Sequence, residues 1–204
     1  MQADAAIRSA AADSRPKPGW GIEIASTERI LRMGKRSDEV IVRKAHMTDV
    51  DEIRKLVMTF AEKQRMLPRS LRQIYDNLRN FFVGVNRQGE VVACGALQVS
   101  WKDLAEVKSV AVRSELHGTG LGRRIVETCL AEAAELKVPR VFVLSFVPEF
   151  FEKLGFHRMD KNELPHKVWT ECVDCPLFPE CGETALAIEI RFAEDVREAE
   201  VKQV

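Results

Sequence analysis

Apolar positions along the chain change period several times, and each change predicts an element. "DEVIVRKA" alternates and predicts a strand. Thr48 follows as an expected helix N-cap, with Asp49 and Asp51 in the first turn where the helix dipole favours anions. Val50, Ile53, Leu56, Val57 and Phe60 then fall on one helical face. Pro68 interrupts that pattern, and a second helix restarts near Ser70 with Leu71, Ile74 and Leu78 on its buried side. "FFVGVNRQGEVVACGALQVS" reads as a hairpin turning at "NRQG". "LAEVKSVAV" is a further strand, whose strict alternation points Ala105, Val107, Ser109 and Ala111 one way and Leu104, Glu106, Lys108, Val110 and Val112 the other. An amphipathic helix runs from the next glycines to about Leu136. "RVFVLSF" is a buried strand, "PEFFEKLGF" a short helix ended by Gly155, "HRMD" a short strand and "TALAIEIR" a late strand.

The order β-α-α-β-β-β-α-β-α-β, an irregular cysteine-bearing stretch and a last strand predict an α/β (α+β) domain with a mixed sheet, spanning residues 39–190. Residues 1–38 carry "SRPKPGWG" without sustained period and are expected to form a leader, with a short helix near "STERILRM". Residues 191–204 are a charged tail, expected as a frayed surface helix.

Composition narrows the function. Of 204 residues, 46% are hydrophobic, enough for a real core. Lys+Arg and Asp+Glu each number 31, which argues against a general nucleic-acid binder. No apolar run is long enough to span a bilayer, and the N-terminus lacks a signal-peptide core, so no membrane partner is expected. Five cysteines, an odd number without a secretion signal, fit free thiols in the cytoplasm. Cys94 and Cys129 lie on apolar faces and read as core. Cys172, Cys175 and Cys181, with His166, offer the donor types of a tetrahedral zinc site. The second half of the usual zinc pattern is missing, and Pro176 and Pro179 favour a rigid loop over 171–182, so no metal is expected.

"VAVRSELHGTGLGRRIVETCL" carries the chemistry. Gly118, Gly120 and Gly122 leave backbone N–H groups uncovered at a helix N-terminus, the physical recipe for a phosphate site. The spacing G-x-G-x-G, in mid-domain, is neither a Rossmann fingerprint nor a P-loop, which needs Gly-Lys-Ser/Thr.

"VKSVAVRSELHGTGLGRRIVE" resembles the Q/R-x-x-G-x-G/A motif of the GCN5-related N-acetyltransferases (GNAT), with His117 at the Q/R position and Gly120 and Gly122 on the glycines. "FFEKLGF" is similar to that family's later motif. The resemblance implies a twisted, mostly antiparallel mixed sheet, splayed to admit acetyl-CoA as co-substrate. It implies that the backbone of Ser109, Val110, Ala111 and Val112 pairs with the pantetheine arm. His117, Gly118, Thr119, Gly120, Leu121, Gly122 and Arg123 would hold the pyrophosphate. "LPRS", "ELPHKVW" and C-x-x-C-P-x-F-P-x-C resemble short, single-domain bacterial N-acetylglutamate synthases. Longer relatives add an amino-acid-kinase-like domain, for which this chain is expected to have no room.

The resemblance implies acetyl transfer to the α-amine of L-glutamate, the first step of arginine biosynthesis. An ammonium must lose a proton before it attacks a thioester, and Glu106 is the expected base; the other reading is a solvated strand glutamate paired with Lys108. His46, His157 and His166 are alternative bases. N–H groups near Val110 would stabilise the oxyanion. Ser145 is a candidate donor to substrate, or a satisfied strand-end hydroxyl. Phe151 stands where many relatives carry a tyrosine that protonates the departing thiolate. Arg69 and Lys167 are the candidate ligands for the acceptor's carboxylates, with Arg72 and Lys108 behind them. Expected partners are small molecules, with a homodimer left open. Three other readings stay open: an acetyltransferase for a peptide or another amine, a non-catalytic acyl-CoA-binding module, and a zinc-dependent interaction module.

Overall fold

The computed structural model describes residues 40–164 and 181–192. The expected leader, the tail from residue 193 on, Lys167, His166, Cys172 and Cys175 lie outside the described residues. Seven strands form one sheet in the order β1-β2-β3-β4-β5-β7-β6. They are β1 (Ile41–Lys44), β2 (Phe81–Val85), β3 (Val91–Trp101), β4 (Leu104–Val112), β5 (Arg140–Ser145), β6 (His157–Arg158) and β7 (Thr184–Glu189). Among the described residues only β4 and β5 run parallel, joined by the helix α3 (Leu121–Glu135); every other pair there is antiparallel. The other α-helices among the described residues are α1 (Val50–Ala61), α2 (Leu71–Asp76) and α4 (Pro148–Glu152).

The two faces of the sheet bury different helices. Ile125, Val126 and Cys129 of α3 pack with Leu97, Val107 and Val141 on one face. Ile53, Val57 and Phe60 of α1 and Ile74 of α2 pack with Val83, Cys94 and Ala111 on the other. Cys94 and Cys129 are fully buried, as their apolar surroundings predict; burial pushes the Cys94 thiol up to about 12.

Three local expectations are corrected. Thr48 is not the N-cap. A 3-10 turn, Met47–Asp49, precedes α1, and the buried Asp49 carboxylate accepts the His46 N–H at 2.7 Å. Asp49 also takes the Arg43 guanidinium on both oxygens, at 2.6 and 3.0 Å, so its role is tertiary rather than dipolar. Leu71 is 39% exposed, because α2 is a six-residue helix that turns only Ile74 fully inward. The restart itself is as expected: Ser70 Oγ accepts the Gln73 N–H, and Gln73 Oε1 accepts the Ser70 N–H.

The third correction shapes the site. Alternation along β4 breaks at Ser109, which has φ +54°. Ala111 faces Cys94 and Lys108 faces Ala96, so three steps on β4 meet two on β3. This is a β-bulge, and it reverses the side chains that follow it. Val112 therefore joins Ala105 and Val107 on the α3 face, while Ala111 turns to the α1 face.

Candidate active site

The sheet opens where β4 and β5 part. They pair only at Leu104–Arg140, Ala105–Val141 and Glu106–Phe142. β5 continues against β7 as far as Ser145–Thr184. Beyond Glu106, the β5-facing edge of β4 borders a cleft of about 1300 Å³. The bulge at Ser109 lies on this edge.

At one end of the cleft stands the glycine turn. Gly118 and Gly120 have φ of +78° and +86°, which glycine adopts without steric cost. A Cβ on either would meet no atom within 4 Å, so both backbones open onto free space. A Cβ on Gly122 would come within 3.3 Å of the Phe150 ring. The first helical hydrogen bond of α3 joins Arg124 N–H to the Gly120 carbonyl. Leu121, Gly122 and Arg123 therefore present N–H groups ahead of it, at the positive end of a fifteen-residue helix. The His117 and Thr119 N–H groups are taken by the Ser114 and Leu116 carbonyls, which fix the turn. The His117 ring bonds the Val112 carbonyl through Nε2 at 2.9 Å and stacks on Phe60. Lys153 and Arg123 add cations to this end.

At the mouth of the splay, Glu106 Oε2 pairs with Lys108 Nζ at 3.0 Å. Lys108 also donates to Gln98 Oε1 at 2.9 Å. The pairing is the one the sequence offered as its other reading, but the glutamate is mostly buried and lines the cleft. Ser145 is buried at the end of β5 and also lines the cleft. Its Oγ accepts the Val147 N–H at 3.0 Å, which leaves the hydroxyl proton free to be given. Phe151 is buried edge-on to Phe150 and Phe156 and lines the cleft without a hydroxyl. His46 and His157 are exposed and do not line the cleft.

Arg69, immediately before the α2 cap, also lines the cleft. Cys181, which the sequence offered as a zinc donor, lines the same cleft, as do Lys161 and Glu183, which sequence reasoning missed. Lys161 Nζ donates to the Cys181 carbonyl at 3.0 Å, and the Cys181 thiol donates to Glu183 Oε2 at 3.6 Å. Burial raises the Glu183 carboxyl above its ordinary range, and the Glu106 charge adds to this; the thiol bond, Lys161 and Arg69 oppose it. The available signal was a single carboxylate at the head of an apolar strand, "GETALAI".

One cleft is thus lined by an open glycine turn at a helix N-terminus, a strand-borne carboxylate and several cations, groups that can take an anionic carrier. Residues 47–156 match the Acetyltransferase (GNAT) family, and the chain belongs to it. The chain is thus an N-acetyltransferase whose co-substrate is acetyl-CoA, and the open glycine turn and uncovered helix N-terminus fit that carrier's phosphates. It is 34% identical to an uncharacterized N-acetyltransferase of Chlorobaculum tepidum over 72% of this chain and 95% of that protein. It is 39% identical to an amino-acid acetyltransferase of Mycobacterium tuberculosis, over 64% of this chain and 76% of that one. A Mycobacterium tuberculosis structure in complex with CoA and NLQ superposes with a TM-score of 0.65, at 32% identity, covering 74% of this chain and 99% of that one. No helix among the described residues is long and apolar enough to cross a membrane.

Proposed function

We propose that this acetyltransferase moves the acetyl group of acetyl-CoA to the α-amine of L-glutamate, the opening step of arginine biosynthesis, in the cytoplasm. The observation that supports the reading is the shared cleft: Glu106, the glycine turn, Arg69 and Lys161 all line it. The similarity to an amino-acid acetyltransferase supports a free amino acid as acceptor.

In this reading the N–H groups of Leu121, Gly122 and Arg123 hold the pyrophosphate, with the turn from His117 to Gly120 shaping the cradle. The β4 edge over Ser109 to Val112 pairs with the pantetheine amides. Glu106 takes one proton from the acceptor ammonium. The freed nitrogen attacks the thioester carbon; the C–N bond forms, and N–H donors near Val110 receive the oxyanion. The C–S bond then breaks, and the second amine proton ends on the departing sulfur. The Ser145 hydroxyl donates a hydrogen bond to the acceptor or the thiolate in this scheme, a role its place in the cleft lining supports. Arg69 grips one acceptor carboxylate, and Lys167 is its proposed companion.

Release of CoA thiol, measured across glutamate, glutamine, aspartate, arginine and a short peptide, tests the proposal. Turnover with glutamate well above the others is the expected result. Acetyl-CoA binding without release for any amine would overturn it.

A further inference from the structure

His117 precedes Gly118, and its backbone N–H is already taken by the Ser114 carbonyl at 3.2 Å. What the residue brings to the site is its ring. The ring touches two other elements. Nε2 lies 2.9 Å from the carbonyl of Val112, the last residue of β4. A carbonyl only accepts, so Nε2 carries the hydrogen. The ring face stacks on Phe60 of α1, with centroids 6.1 Å apart and planes at 30°. Val112, His117 and Phe60 all line the cleft.

The direction of the Val112 carbonyl gives this bond its meaning. Val112 registers with Ala93 of β3, and the next residue, Arg113, donates its N–H to the Val92 carbonyl at 2.8 Å. Along an antiparallel strand, successive residues turn their backbone groups to opposite edges. Val112 therefore turns its carbonyl away from β3, to the edge that borders the cleft. The glycine turn is otherwise easily deformed. Gly118 and Gly120 have φ of +78° and +86°, and a Cβ on either would meet no atom within 4 Å, so packing does not hold them. The buried Leu121 anchors the turn where α3 begins. The His117 ring anchors it on the β4 side.

We propose that the His117 side chain is a positioning residue: by bonding the Val112 carbonyl it sets the separation between the β4 edge and the glycine turn, so that one carrier molecule engages both. This rests on the pantetheine and pyrophosphate placement proposed above. It moves His117 from the groups expected to hold the pyrophosphate to those that fix where the holders stand. The pantetheine arm and the pyrophosphate belong to one molecule of limited reach. The two halves reinforce each other's binding only when the surfaces that take them are held at a matching distance.

The test is calorimetric titration of CoA and of pantetheine, which lacks the phosphates and the nucleoside, into the full chain and its His117→Ala, His117→Gln and His117→Phe variants. Gln keeps an N–H donor and loses the stack on Phe60; Phe keeps the stack and loses the donor. His117→Ala should weaken CoA binding about tenfold, the scale of one lost hydrogen bond, and leave pantetheine binding unchanged. His117→Gln should recover most of the CoA affinity, and His117→Phe should not. Pantetheine binding reports in each variant that the β4 edge is intact, and Gln against Phe carries the comparison should the Ala variant not fold. Unchanged CoA affinity in His117→Ala and His117→Phe, a parallel loss of both ligands, or recovery with Phe rather than Gln would overturn the inference. Failure of the underlying placement is a separate observation, made first on the unsubstituted protein: CoA binds no more tightly than pantetheine.

Discussion

Glu106 Oε2 and Lys108 Nζ lie 3.0 Å apart at the mouth of the splay, with 15% and 10% of their side chains exposed. Two positions apart on β4 and ahead of the bulge, they share a face, and the pair brings its own counter-charge into the cleft. In the proposed reaction, a base that must be a carboxylate at neutral pH gains from a lysine that stabilises the charged form. Glu106→Gln should lower kcat by about 10²–10⁴, the usual weight of a positioned general base, and leave acetyl-CoA affinity intact. Lys108→Met should lower kcat/KM for the acceptor less severely. Steady-state kinetics with each substrate varied in turn separates the two effects.

The glycine turn gives an expectation on binding rather than chemistry. Gly120→Val places a β-branched side chain at φ +86°, where L residues are strained by about 1–2 kcal/mol. The new side chain also enters the open space above the helix N-terminus. The KM for acetyl-CoA should rise at least about tenfold, with a small loss of thermal stability. Isothermal titration with CoA and a melting curve check both parts.

Asp49 is an expectation on stability. Burial opposes its ionisation but is outweighed by the Arg43 guanidinium and the His46 N–H, which hold its carboxyl below the usual carboxylate range. A depressed folded-state pKa contributes stability that is present above the unfolded value of about 3.9 and lost as pH falls through the folded one. Asp49→Ala strands Arg43 and the His46 amide and should cost about 2–4 kcal/mol near neutral pH. The difference from the unsubstituted protein should shrink in strong acid. Urea unfolding at several pH values measures it.

What the chain discloses in one dimension follows the range of each interaction. The hairpin at "NRQG", the Ser70 restart and the glycine turn depend on residues within a few positions of each other, and all were legible. The bulge at Ser109 was not, because it is a mismatch of counts between β3 and β4, and strict alternation within β4 is locally self-consistent. Asp49 looked like a helix-dipole residue because its partner, Arg43, belongs to the preceding strand. Glu183 stayed hidden for the same reason. It lines the same cleft as Glu106 only because β7 inserts beside β5, a neighbour relation that no spacing along the chain encodes.

The brevity of the β4–β5 pairing has a mechanical meaning. Four strands on one side and three on the other are stapled through three registered residue pairs, and past Glu106 the interior of the sheet carries a raw strand edge. Such edges ordinarily invite foreign strands; this one is shielded by being folded inward. In the proposed binding mode a carrier molecule laid along it becomes a missing rung between the two leaves, and occupancy and rigidity should rise together. The enzyme's resistance to unfolding should then grow with the amount of co-substrate around it.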